Sequence, residues 1–365
     1  MKSLLLKRIA MFPPRRSGFT LIELMFAMAL GLLLMAGLIY VYLLSAQSFR
    51  AQNALTIIQN NARYAFEIMG VDIRQTGFTG TRVDDVINNV VGTPDPTTLS
   101  TLIALATPLT GDENTNPPNV SACTTPTVSG CYRANTDYLT VVRVDTENKY
   151  AVTAHDGAAF TFDVSPWPTS NPPVVGDIFV AADYTHAAVF QAGTATTNPI
   201  VSYGSGGSPG NSSTNLGSFH GGAPAAGTYV LALYRLSGAS YYIGTNSAGE
   251  PALYRDKLSN NAATLNSTRE ELIEGVENMQ ITYGVDAADP IDKVDGYWTA
   301  TQVTAGTNGT LTMPVGSASD YWKRVLSVRI TLTLVSQQDQ KVGTTGDKLL
   351  RKEFTNTIAI RNRLL

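Results

Sequence analysis

Hydrophobic positions run almost unbroken from Phe19 to Leu44 (FTLIELMFAMALGLLLMAGLIYVYLL), 26 residues with one charge, Glu23, and no proline. As a helix this stretch is about 39 Å long, enough to cross a bilayer with some tilt. From Ser45 polarity rises but the helical period persists. Ala51, Leu55, Ile58, Ala62, Ala65, Met69 and Ile73 recur at steps of three and four, with Gln52, Asn53, Gln59, Asn60, Arg63, Glu67 and Arg74 elsewhere on the helix. The pattern predicts one continuous helix from about Phe19 to Gln75, ended by Arg74 in its last turn and Gly77 just beyond. The stripe on its outer half should pack against a β-rich domain.

The period then changes from helical to alternating. Residues 81–136 are rich in Thr, Pro, Asn and Asp, with 101–106 as the one short apolar run, and read as a long excursion with little regular structure. Strands are predicted at 138–144, 159–164, 177–182 and around Val189-Phe190, then at 228–236, 241–244 and 252–255. A further strand ends the segment 271–284 at Tyr283-Gly284. The clearest runs from Val325 to Val335, where Leu326, Val328, Ile330, Leu332 and Leu334 alternate with Ser327, Arg329, Thr331 and Thr333, one face buried and one wet. Residues 354–363 make a last strand. The expected class is α+β: a long N-terminal transmembrane and amphipathic helix packed on a β-rich globular head.

Charge sets the direction of the span. Residues 1–18 carry Lys2, Lys7, Arg8, Arg15 and Arg16 and no acid, whereas the first basic residue past the span is Arg50. By the positive-inside rule the N-terminus is cytoplasmic and the head lies across the membrane. A secretory signal peptide has a far shorter apolar core, and a twin-arginine signal, suggested by Arg15-Arg16, a milder one. Without residues 1–18 the chain holds 21 basic and 29 acidic residues, a net charge of −8. That balance argues against a nucleic-acid surface. Only 15% of the chain is charged, and Gly, Ser, Thr, Asn and Ala are abundant in its second half, which suits an exported β-rich domain with polar loops.

Candidate chemistry is sparse. Cys123 and Cys131 bracket CTTPTVSGC; outside the cytoplasm they should oxidise to a disulfide worth about 2–3 kcal/mol through loop closure. Their spacing is not that of a metal or redox pair. His155, His186 and His220 stand alone, and no catalytic signature, cofactor motif or metal set is expected. Asp286, Asp289, Asp292 and Asp295 recur every third residue around Pro290, unlike a calcium-binding loop, and read as a solvated turn. GSGGSPGNSSTN (204–215) reads as a flexible loop that lacks the lysine of a phosphate-binding loop. Tyr234, Tyr241, Tyr242 and Tyr254 suit half-buried strand packing better than a base-stacking surface.

The junction Arg15-Arg16-Ser17-Gly18-Phe19-Thr20-Leu21-Ile22-Glu23 resembles the type IV prepilin motif. The resemblance implies cleavage between Gly18 and Phe19 by the prepilin peptidase, N-methylation of Phe19, and a role for Glu23 in assembly register. An acid within a bilayer costs on the order of 2.5–3.5 kcal/mol near its centre, and less toward a helix end, so it needs a partner. The amine freed at Phe19 is one; in the family the acid is thought to pair with that of a neighbouring subunit. The run Gln47–Gly80, with Asp72-Ile73-Arg74 and Gly77-Phe78-x-Gly80, is similar to the PilW family of minor pilins, as are 271–284 and the terminal Arg361-Asn362-Arg363. This implies a cleaved leader (1–18), a transmembrane half-helix (19–44), an amphipathic half-helix (45–77) and a β-rich periplasmic head (78–365). It also implies an inner-membrane subunit that enters a pilus priming or tip complex by helix-mediated polymerisation. Expected partners are other minor pilins, the major pilin, the prepilin peptidase, the inner-membrane assembly platform and a PilC/PilY-like tip adhesin. The alternatives are a GspJ-like type II secretion pseudopilin and a membrane-anchored periplasmic binding protein or enzyme.

Overall fold

A computed structural model describes residues 18–80, 86–90, 99–124, 128–183, 186–204, 206–217, 219, 231–336 and 349–363. Residues 1–17 of the expected leader, His220 and positions 228–230 of an expected strand lie outside the described residues. The chain divides into two compact units, Met1–Asn53 and Ala54–Leu365.

Helix α1 spans Leu21–Gln75, 55 residues. Within the first unit every residue from 18 to 44 is exposed, so a continuous apolar surface is left with no protein to cover it. By length and composition α1 is able to cross a membrane.

In the second unit, the rest of α1 buries Ala54, Ile58, Ala62, Ala65, Met69 and Ile73. The stripe matches expectation except at its start, where Ala54 is enclosed and Leu55 only half-buried. Its three alanines let strands approach the helix closely, and Ile58, Met69 and Ile73 fill the spaces between.

After α1 come β1 (Val86–Asn88), a 3₁₀ turn (Ser100–Ile103), β2 (Leu109–Asp112), β3 (Cys131–Tyr132) and β4 (Tyr138–Asp156). Next are β5 (Thr161–Val164), β6 (Ile178–Ala182), β7 (Ala187–Gln191), β8 (Ile200–Ser202) and β9 (Ala232–Thr245). The chain continues through β10 (Pro251–Asn261), β11 (Thr264–Glu274), β12 (Val276–Val285), β13 (Gly296–Trp298), α2 (Ala300–Ala305) and α3 (Ala318–Lys323). It closes with β14 (Val325–Val335), β15 (Arg351–Ala359) and a 3₁₀ turn (Arg361–Arg363).

Two sheets result. The larger runs β1-β7-β6-β9-β4-β5-β8, with β10, β11, β2 and β3 attached at its sides. The smaller runs β13-β12-β14-β15, antiparallel throughout. The main core joins the stripe of α1 to both sheets: Tyr241, Ile243 and Leu253 from the larger, and Met279, Ile281, Ile330 and Leu332 from the smaller. A separate aromatic core of Phe162, Phe179, Phe190 and Tyr203 lies in the larger sheet.

Several expected boundaries move. The strand begun at 138 continues to Asp156 through an irregularity between Val144 and Lys149, where the ladder with β9 resumes. The two strands expected at 228–236 and 241–244 are one, β9, with Gly238 inside it. A side chain at Gly238 would collide with the Leu102 carbonyl, so this glycine admits the first 3₁₀ turn against the sheet and does not break the strand. The excursion 81–136 holds that turn and β1 to β3. Ser327, expected to be wet, is buried. The last strand ends at Ala359 rather than 363. The described part of the 204–215 loop is pinned, not free: Asn211 Nδ2 donates to the carbonyls of Gln191 (2.8 Å) and Tyr203 (3.0 Å), and Ser212 Oγ donates to the carbonyl of Asn89 (3.0 Å).

Candidate functional site

The first turn of α1 is closed by Thr20 and Glu23. The Thr20 main-chain N–H donates to Glu23 Oε2 (3.1 Å), its hydroxyl donates to the same oxygen (3.2 Å), and the Glu23 N–H donates back to Thr20 Oγ1 (3.3 Å). This is a reciprocal capping box, which satisfies main-chain donors that a helix start otherwise leaves open. It also sets a carboxylate at the positive end of the helix dipole. Gly18 and Phe19 precede it in exposed, non-helical chain, with Phe19 90% exposed. Gly18, Phe19 and Glu23 thus gather at one helix end. The Thr-x-x-Glu spacing was visible in FTLIE; reading Glu23 only as a lone charge missed it.

A second constellation forms where α1 ends. Asp72 is 6% exposed, and its Oδ1 accepts from Arg143 Nε on β4 (2.9 Å), while its Oδ2 accepts from the Tyr241 hydroxyl on β9 (2.6 Å). Burial first, and then the Asp72 charge, hold the Tyr241 hydroxyl far above the usual phenol range. Gly77 has φ +73° and gives its N–H to the Val142 carbonyl (2.9 Å). Its own carbonyl accepts from Asn362 Nδ2 (2.6 Å). Gly80 has φ +93°, and a side chain there would strike the Tyr234 ring. Arg363 donates from Nη1 to the carbonyls of Trp322 (2.6 Å) and Val325 (2.9 Å). The end of the helix is therefore tied to two central strands and to the tail of the chain.

Cys123 and Cys131 form a disulfide, Cα to Cα 4.9 Å. It closes the loop leading into β3 beside stacked Tyr242 and Tyr254, whose centroids are 5.7 Å apart; Tyr242 donates to the Gly130 carbonyl (2.8 Å). Both tyrosines, with Tyr234 and Tyr241, are buried more fully than expected. His155 stacks on Phe162 (4.6 Å) with Nε2 2.8 Å from the Tyr203 hydroxyl, and His186 Nε2 lies 2.6 Å from the Leu216 carbonyl. Burial lowers the pKa of His155. Asp286 accepts the main-chain N–H groups of Ala288, Asp292 and Lys293 at 2.7 to 2.9 Å. Burial alone would raise its pKa, but those donors outweigh it and hold the pKa below the usual range. Asp289 pairs with Arg324, so these acids organise a turn. Among the described residues no group of three His, Cys, Asp or Glu side chains is placed to hold a metal.

Among the described residues, an apolar helix that opens on a glycine, an aromatic residue and a capping glutamate continues toward a β-rich head, the arrangement expected of a prepilin-type subunit. Residues 13–39 match the prokaryotic N-terminal methylation motif, and residues 240–362 match the family described as Type IV Pilus-assembly protein W. Together the two matches indicate a type IV pilus minor pilin similar to the PilW family. No curated protein and no solved structure matches it. The PilW match spans the smaller sheet, Tyr241 and Asn362, and so includes two of the residues that fasten the end of α1.

Proposed function

We propose that this minor pilin is a mechanical subunit of a pilus priming or tip complex, made competent by cleavage between Gly18 and Phe19 and by methylation of the new Phe19 amine. Glu23 then sets the register by pairing with a neighbouring subunit's amine. The observation that carries this reading is the first turn of α1. The capping box holds the Glu23 carboxylate at the helix end next to Phe19, where an amine would balance its charge in an apolar surround. The head, fastened to the helix through Asp72 and Asn362, selects the neighbours that fit. In this reading the leader faces the cytoplasm and the head the periplasm, and the subunit is handled by the prepilin peptidase and the inner-membrane assembly platform. It meets other minor pilins, the major pilin and a PilC/PilY-like tip adhesin, and it carries out no catalysis.

The test is mass spectrometry of the mature chain together with pilus counts in cells expressing Glu23→Ala. The expected outcome is a chain beginning with N-methylated Phe19 in both forms, with pili lost in the variant. A mature chain still starting at Met1 in normally piliated cells overturns the proposal. An anchored binding protein would keep its function in the variant.

A further inference from the structure

Strand β9 serves two partners on one edge. β10 pairs with residues 239–245 and β6 with residues 232–235, so neither stands opposite Leu236 to Gly238. β4 continues along the other edge past this gap. The larger sheet therefore carries a notch of about 220 Å³ where β10 and β6 diverge. That is below the roughly 300–1,000 Å³ of sites that enclose drug-sized ligands, so the notch suits one ring-sized unit.

Its lining combines an aliphatic patch with polar groups of both signs. Ile178, Leu236, Leu258 and Leu265 supply the apolar part, which is continuous with a packed cluster of the larger sheet. Asp177 and Arg235 pair at 2.8 Å, and Asn260 Nδ2 braces Asp177 (3.0 Å) and the Val175 carbonyl (2.9 Å). These groups form a rigid wall with its charge balanced internally. Lys257 is exposed and has no ion-pair partner among the described residues. Ser237 and Ser259 add hydroxyls, and Asp145 adds a carboxylate already accepting from the Glu147 N–H (3.0 Å) and Asn148 Nδ2 (2.6 Å).

Chemistry narrows the ligand. Two acids against two cations give no net field for a phosphate or another anion. Among the described residues no aromatic side chain lines the notch, so they offer no stacking platform of the kind a nucleobase uses. What remains is a pre-formed aliphatic floor ringed by donors and acceptors on braced side chains. We propose that this notch binds one neutral saccharide unit of a glycan, with the Lys257 ammonium donating to ring hydroxyls and the aliphatic patch meeting the C–H face of the ring. The site is independent of pilus assembly through α1.

Saturation-transfer NMR on the full chain in an amine-oxide detergent, which carries no sugar headgroup, tests this. The probes are the methyl glycosides of glucose, galactose, mannose and N-acetylglucosamine, with N-acetylneuraminic acid as an anionic contrast. At millimolar ligand, at least one neutral glycoside should bind. Lys257→Ala, an exposed position that should leave folding intact, should weaken it by about tenfold or more, the loss of one charge-assisted hydrogen bond. Ser237→Phe, which fills the notch, should abolish it. The proposal is overturned if no neutral glycoside binds, if only the anionic sugar binds, or if Lys257→Ala leaves affinity unchanged.

Discussion

Replacing Asp72 with alanine should loosen the end of α1 more than any other single polar change there. The carboxylate is buried and shared by Arg143 and Tyr241, whose side chains are also largely enclosed. Truncation leaves Arg143 Nε and the Tyr241 hydroxyl without their acceptor in a site that water reaches poorly, while Arg143 Nη1 keeps only the Val144 carbonyl (3.2 Å). Breaking a buried pair in this way costs about 3–5 kcal/mol. For a unit of this size that corresponds to a fall in Tm on the order of 5–15 °C. The assay is thermal and urea unfolding of the full chain in detergent, followed by near-ultraviolet circular dichroism, which reports the buried tyrosines. Asp72→Asn provides an internal comparison. It keeps an oxygen for Tyr241 and loses the charge facing Arg143, and should fall between alanine and wild type. An Asp72→Ala protein within about 1 kcal/mol of wild type would refute the assigned role, since even one unsatisfied buried group costs about that much.

Two further outcomes are expected. Asp137, buried between β4 and β12 with its Oδ2 accepting the Ile281 N–H (2.8 Å), has its pKa raised to about 6, first by burial and then by Glu113 and Asp112. A carboxyl with a folded pKa above its unfolded value near 3.8 favours folding most when protonated, so its contribution is complete below pH 3.8 and lost as pH rises through 6. Stability should fall between about pH 4 and 6 in wild type relative to Asp137→Asn, which removes that titration; identical pH profiles for the two would refute the assignment. Joint replacement of Cys123 and Cys131 by serine should lower stability in urea by about 2–3 kcal/mol without altering pilin processing, because an eight-residue loop is closed only weakly against chain entropy.

The helix was legible because its pattern is long and regular, and the alternation in β14 because Arg329, Thr331 and Thr333 on one face are only half-buried while the other face is enclosed. What sequence reading lost has specific causes. It chose Leu55 over Ala54 because hydrophobicity favours the larger residue, whereas close packing on a sheet favours the smaller. It ended β4 at Val144 because Asp145 to Lys149 are polar, yet those residues form an irregularity after which the ladder resumes. It broke β9 at Ser237-Gly238, where the glycine instead answers a carbonyl from a segment 136 positions earlier. Of the site, the place of Gly18, Phe19 and Glu23 at the start of α1 and the pairing of the cysteines could be read from local patterns. The partnership of Asp72 with Arg143 and Tyr241 could not, because its members lie 71 and 169 positions away, and neither distance leaves a periodic trace.

The bond from Asn362 to Gly77 spans 285 positions, which fixes an order of events during synthesis. The hydrophobic span emerges from the ribosome early and can enter the membrane long before residue 362 has been made. Until then the exit of α1 lacks its final fastening. Closure of the head therefore comes only after residue 362 has been made, and a chain stalled short of that point carries α1 with its exit unlatched.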